Sequence, residues 1–299
     1  MSGRTLGLAL FAVLAAACGA GRVPAWERPW TTGTRGDDAA LVREGDVLFE
    51  QRGNEKRLRA ALVSWEKAAL ARPEKAATWV KLARGYHLLA DGFLFPQAET
   101  KYTHMEELIA AHERGVTSAE RALWLVSPAL KAKVLAGTSL AQALAVLDGT
   151  AVPALYWYAV NLVKWSHGRG HTITGRHRAT VRAAMSRILE LDATYWFGGA
   201  DRYFGALYAD LSSLRGGDVE RSRLHFEKAL AIAPGYFGTR VLMAELYWGK
   251  RVRNRQRYRE TLKAVTELAV DVLPGIEPEQ RIERKRAASL LKKCDEQLF

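Results

Sequence analysis

The sequence predicts an all-α fold, a tetratricopeptide-like helical-repeat solenoid with degenerate repeats, and three observations carry that prediction. From Asp37 onward apolar residues recur at helical spacing, punctuated by Gly, Pro and Asp, without a sustained run of strand-like alternation. Trp79, Leu82, Ala83 and Tyr86 stand at i, i+3, i+4 and i+7, which places them on one helical face. Just upstream, Ala60, Trp65, Ala68 and Pro73 are spaced as the second helix of a helix-turn-helix unit. There the aromatic packs between helices, the small residues admit a close neighbour and the proline stops the helix. Such a unit buries its apolar face only against the next, so residues 37–299 are expected to stack as a single domain with a concave side.

Taken from the N-terminus, Arg4, the apolar stretch from Leu6 to Leu14 and the small residues Ala15, Ala16 and Ala17 read as an export signal over residues 1–17. The stretch is shorter than the roughly 20 residues a membrane-spanning helix needs. Small residues ending at Cys18 resemble the bacterial lipoprotein signal, although Ala15 stands where that motif usually carries Leu. The resemblance implies lipid attachment at Cys18, and Gly19 after it resembles the pattern sorted to the outer membrane, facing the periplasm. Residues 18–36, with Pro24 and Pro29 among Gly, Thr and Arg, read as a flexible tether. Its Trp26 and Trp30 have two options, the membrane interface or the domain surface. Cys294, the other of the two cysteines, is then a free thiol.

Beyond the first repeat, helices are expected over 97–126, 140–147, 152–165 and 173–190. The repeat ending returns at Phe226, Ala229 and Pro234, followed by Ala244 and Tyr247 where the next first helix puts them. Gly205 and Tyr208 mark the helix before that copy, at a spacing several residues too long for a regular unit.

Residues 152–165 are apolar on nearly every face and predict a central helix covered on several sides. They are followed by Glu190-Leu-Asp-Ala-Thr-Tyr195, Gly205-Ala-Leu-Tyr208, Gly216-Gly-Asp218 and His225-Phe-Glu-Lys-Ala-Leu230. In that order, behind a lipoprotein-like signal, these segments resemble the TatT family over roughly residues 40–268. Its members are the periplasmic tetratricopeptide lipoproteins of tripartite ATP-independent periplasmic (TRAP) transporters. The resemblance implies a helical protein with a ligand-accommodating cavity or pore that forms homo-oligomers and docks the periplasmic solute-binding protein of such a transporter.

Trp157, Asn161, Lys164 and Trp165 fall near one face of the central helix, where an amide and an ammonium among indoles suit a small apolar or carboxylated ligand. Tyr195 and Trp196 join them as candidates. The plainer reading of all six is core packing, with Asn161 bonded to a neighbouring backbone group, because aromatics at helical spacing are usually inside. His167, His171 and His177 carry no metal site in this reading: Gly168 and Gly170 break the helix between the first pair, and Arg169, Arg176 and Arg178 repel a cation. His112-Glu113 begins like a zinc-protease motif, but Val116 stands where the second histidine is required. Gly249-Lys250 lacks the upstream phosphate-loop glycine, position 244 being Ala. No nucleophile elbow and no paired catalytic groups occur, so neither enzyme activity nor a cofactor is expected.

A net charge of +12 favours anionic partners, with the densest basic runs at 250–259 and 281–293. An export signal and the lack of a recognisable nucleic-acid module argue against nucleic acid, leaving a solvated helix face or contact with anionic lipid. The reading is a periplasm-facing accessory lipoprotein of a TRAP-type transporter. Its alternative is an envelope-assembly scaffold that recruits outer-membrane or cell-wall machinery.

Overall fold

The computed structural model describes residues 22–29, 37–98 and 103–297, and every regular element among them is helical. The first three helices are α1 (Asp38–Glu50), α2 (Glu55–Ala71) and α3 (Ala76–Leu89). Asp37 caps α1 by accepting from the Ala40 amide at 2.9 Å, and Asn54 caps α2 by accepting from Lys56 and Arg57. Trp65 is 2% exposed, as the repeat pattern requires. A Cβ at Gly45 would lie 2.4 Å from its indole, so only glycine lets α1 close over that ring. The indole nitrogen donates to Asp46 at 3.1 Å, and the Trp79 indole donates to the Pro73 carbonyl at 2.8 Å, tying the proline turn to the next helix.

The second copy repeats this interlock. Gly205 of α10 (Tyr195–Asp210) faces Phe226 of α11 (Val219–Ile232), and a Cβ at 205 would stand 2.8 Å from the phenyl ring. Pro234 follows, then α12 (Phe237–Leu242) continuing into a wide-turned stretch over Met243–Arg251.

Between the copies, the helix expected over 97–126 falls on two described elements, with residues 99–102 outside the described ones. Phe95–Ala98 forms a short α4 at Pro96, and α5 runs Thr103–Val126. Ser127 then caps α6 (Pro128–Leu135), an element the sequence reading did not expect, through its hydroxyl and the Leu130 amide. The helix expected over 140–147 shortens to α7 (Leu140–Ala143) and a tight turn at Leu144–Val146. The central helix is α8 (Val152–Gly168), packed against α3, α5 and α9 (His171–Asp192), with Leu155, Ala159 and Leu162 at 1% exposure or less. Gly170, at φ +100, breaks the chain between α8 and α9.

The last two helices are α13 (Arg255–Glu267) and α14 (Glu277–Gln297). Instead of only extending the stack, α14 returns to its beginning. Glu279 pairs at 2.9 Å with both Arg52 and Arg84, and a Cβ at Gly92 would meet Ile282 at 2.7 Å. The Gln280 amide, fully buried, accepts from the Phe237 N–H at 3.0 Å and donates to the Gly235 carbonyl at 2.6 Å.

Cys18, the leader and Trp30 lie outside the described residues. Within the segment read as a tether, residues 22–29 lie on α5: Arg22 pairs with Glu120, the Ala25 N–H donates to the same carboxylate at 2.8 Å, and Trp26 stacks on Trp124 at 5.2 Å. Trp26 thus takes the domain surface. Among the described residues no helix is long and apolar enough to cross a membrane.

Candidate functional site

The return of α14 encloses a cavity of about 460 Å³ between the two ends of the chain. One wall comes from α3 and the wide turn Ala90–Leu94 that follows it, bringing Arg84, His87 and Asp91. Wide turns of this kind leave one residue unmatched in the helical ladder and are frequent at functional sites. A second wall is Trp157 and Lys164 of α8 with Trp196 at the start of α10, and the third is α14.

Cations outnumber carboxylates on this lining: Arg84, Lys164, Arg281, Lys285, Arg286 and Lys293 face Asp91, Glu245, Glu279 and Glu283. Lys164 pairs with Asp91 at 2.9 Å, and Arg286 with Glu245 at 2.5 Å. Burial works against ionisation of Asp91, yet Lys164 and the flanking histidines hold its carboxyl well below the usual carboxylate range. Burial pushes Glu283 the other way, above that range. The basic run at 281–293 was expected to be a solvated or lipid-facing surface. Arg281 and Lys285 are exposed as well as bordering the cavity, Arg286 and Lys293 border it half-buried, and Arg284 donates to the Leu268 carbonyl. The run at 250–259 does lie on the exterior, where Lys250 pairs with Asp210 at 2.5 Å.

Trp196 reaches the cavity because the backbone there is left-handed over three successive residues, Trp196 (φ 48), Phe197 (φ 58) and Gly198 (φ 69). Arg202, only 7% exposed, holds the turn by donating to the Phe197 carbonyl at 3.1 Å, the Trp196 carbonyl at 3.3 Å and the Tyr156 hydroxyl at 3.0 Å. Its guanidinium also lies 4.6 Å from the Tyr236 ring centre. The Trp196 indole is sandwiched: Arg84 stands over its face at 4.6 Å and Trp157 meets it edge-on at 4.8 Å.

The six candidate residues therefore divide. Trp157, Lys164 and Trp196 share the cavity wall. Tyr195 is half-buried one layer behind, edge-on to Tyr156 at 5.3 Å. Asn161, with no exposed surface, donates to the Ala83 and Trp157 carbonyls and meets His112. Trp165 points to α9 and lies against His177 at 5.5 Å. Among the described residues, the histidines and carboxylates that gather within metal-ligand distance are His87, Asp91 and His112, a different set from His167, His171 and His177. The sequence signal for two of the three was a His and an Asp four residues apart, on α3 and the wide turn that continues it; Arg202 and Glu279 left no comparable mark. A second hollow, of about 520 Å³, lies more openly along α2, α3 and α5 beside Arg28. It lacks a comparable gathering of titratable groups, which makes the enclosed cavity the better site.

Fold and cavity define an all-helical protein of interlocked helix pairs whose ends close around a polar-rimmed chamber. The profile of the TRAP transporter T-component family matches residues 55–299, α14 included, and the chain belongs to that family. Membership makes it an accessory component associated with a TRAP transporter of the bacterial envelope, a class not known for enzymes. A search of curated proteins finds no match.

Proposed function

We propose that this chain is a periplasm-facing lipoprotein, anchored through Cys18 at the outer membrane, that docks the solute-binding protein of its TRAP transporter and holds a small apolar or carboxylated ligand in the cavity. Homo-oligomerisation belongs to the same reading. Family membership supports the transporter association. The observation that carries the ligand is the meeting of two indoles, Trp157 and Trp196, with Lys164 and Arg84 on adjoining walls. Indole faces cover a hydrocarbon body, and ammonium and guanidinium N–H groups suit a carboxylate. The surplus of cations on the lining attracts anions from solution.

Titrating the tryptophan fluorescence of the chain with short dicarboxylates and with medium-chain fatty acids tests the ligand. A saturable change is expected, weakened by roughly tenfold in Lys164→Met, the equivalent of about 1.4 kcal/mol, and absent in Trp196→Ala. Recovery of the TRAP solute-binding protein with the chain from solubilised envelopes tests the docking. Recovery of β-barrel or wall-assembly machinery in its place, with no fluorescence response, would overturn the reading in favour of an envelope scaffold.

A further inference from the structure

His87 and Asp91, one helical turn apart, face His112 of α5 at the inner end of the cavity, and one ligand-type atom from each lies within 4.8 Å of the other two. The surrounding hydrogen bonds fix what His112 presents. Because the Asn161 nitrogen donates to two carbonyls, Ala83 at 3.1 Å and Trp157 at 2.8 Å, the amide orientation is set and its oxygen must accept. That oxygen lies 3.1 Å from Nδ1 of His112, so Nδ1 carries the hydrogen. A neutral His112 then turns the Nε2 lone pair toward Oδ1 of Asp91, 3.3 Å away.

Two acceptors thus face one another. Oδ1 of Asp91 is buried without a hydrogen-bond partner, and so is Nδ1 of His87. Lys164 occupies the other carboxylate oxygen, Oδ2, at 2.9 Å and leaves Oδ1 unclaimed.

We propose that His87, Asp91 and His112 bind a divalent transition-metal ion of the Zn²⁺ type, with Asn161 orienting His112, Lys164 steadying the carboxylate and a fourth position open to the cavity. Two imidazoles and one carboxylate suit a borderline ion such as Zn²⁺ or Co²⁺, whereas Mg²⁺ and Ca²⁺ prefer oxygen throughout. With bonds of about 2.0–2.1 Å, the donors around a tetrahedral ion stand roughly 3.3 Å apart. The 3.3 Å from His112 Nε2 to Asp91 Oδ1 already has that value, and a ligand atom of His87 lies within 4.8 Å of both, so the third donor needs only a modest approach. The Asn161 bond to the far nitrogen of His112 is the kind of outer contact that fixes a ligating ring. The site stands apart from receptor docking and does not rest on the transport reading.

The test uses the untagged chain stripped with EDTA. Calorimetric titration with Zn²⁺ is expected to give one ion per chain, and Co²⁺ in its place the visible absorption of a four-coordinate centre. His87→Gln, altered where the ring borders the cavity, should keep the wild-type circular dichroism while weakening Zn²⁺ by roughly 100-fold or more. His171→Gln, at the exposed start of α9, should bind as wild type. Absence of stoichiometric binding by the wild-type chain would mean that a proton on His112 alone fills the gap, and overturns the proposal. So does a folded His87→Gln chain that binds unchanged, or a loss of binding confined to His171→Gln.

Discussion

Glu279 is the residue through which the last helix grips the first three, and its removal is predicted to open the chamber. Its carboxylate accepts from Arg52 through Nε at 3.0 Å and Nη2 at 2.9 Å, and from Arg84 through Nη2 at 2.9 Å. Burial tends to lower Arg84 and Glu279 opposes it, so the glutamate is what makes a second cation tolerable there. Breaking a buried pair costs about 3–5 kcal/mol because the orphaned charge stays behind. Arg84 keeps 28% of its side chain exposed, which discounts the expected loss for Glu279→Leu to about 2–4 kcal/mol. Urea titration should register that loss in the midpoint with little change in slope. In a chain of 299 residues, melting should fall by roughly 3–6 °C. A cycle with Arg84→Met sharpens the test: if the charges act through one another, the double variant loses clearly less than the sum of the two singles. Additive losses, or a loss under about 0.5 kcal/mol for Glu279→Leu, the range of ordinary surface changes, would refute closure by this ion triad.

The remaining expectations follow the same geometry. Gly45→Ala places a methyl group 2.4 Å from the Trp65 indole and should cost about 1–3 kcal/mol in chemical denaturation, and Gly205→Ala should behave alike against Phe226. Arg202→Met removes the donors that hold the Trp196 and Phe197 carbonyls; it should cost about 1.5–3 kcal/mol and raise acrylamide quenching of tryptophan fluorescence as the indole leaves its sandwich. Glu283 has its folded-state pKa raised by burial, so the folded chain binds more protons than the unfolded one above the ordinary carboxylate pKa. Stability from this group is therefore complete below that value and lost as pH rises through the raised one. Glu283→Gln should flatten that part of the pH profile and be more stable than wild type at pH 7, as urea midpoints across pH 4–8 would reveal.

What could be read from the sequence was the part of the fold that is local. Trp65, Ala68 and Pro73, and again Phe226, Ala229 and Pro234, announce their helices because one helix dictates which of its own faces is apolar and where proline ends it. The central helix was legible for the same reason, since apolar residues on every face leave no side for water. The site was legible only where it lies on that helix and just after α9: Trp157, Lys164 and Trp196 line the cavity, but helical spacing could not separate them from Asn161 and Trp165, which point elsewhere. His112 was weighed only against a motif on its own helix, whereas its neighbours His87 and Asp91 belong to another. Glu279 pairs with arginines more than 190 positions away, and a basic run holding cavity residues looks the same in sequence as one facing solvent.

The wall that carries Trp196 shows why those distant contacts matter to the site. Two bulky residues in left-handed conformation, Trp196 and Phe197, each cost about 1–2 kcal/mol relative to a right-handed turn, and Gly198 alone is spared. An isolated helix end would relax. Here the turn is held by Arg202 from within α10, by Phe197 stacking on Tyr236 at 5.0 Å, and by Arg84 on the indole face. Tyr236 opens the C-terminal helix group, while Arg84 is itself kept in place by Glu279 of α14. The strained turn is therefore supported from both ends of the chain at once. Separating α14 from α3 removes the ion partner of Arg84, loosens the guanidinium over Trp196 and lets the turn relax, so chain closure and the shape of the cavity wall are one equilibrium.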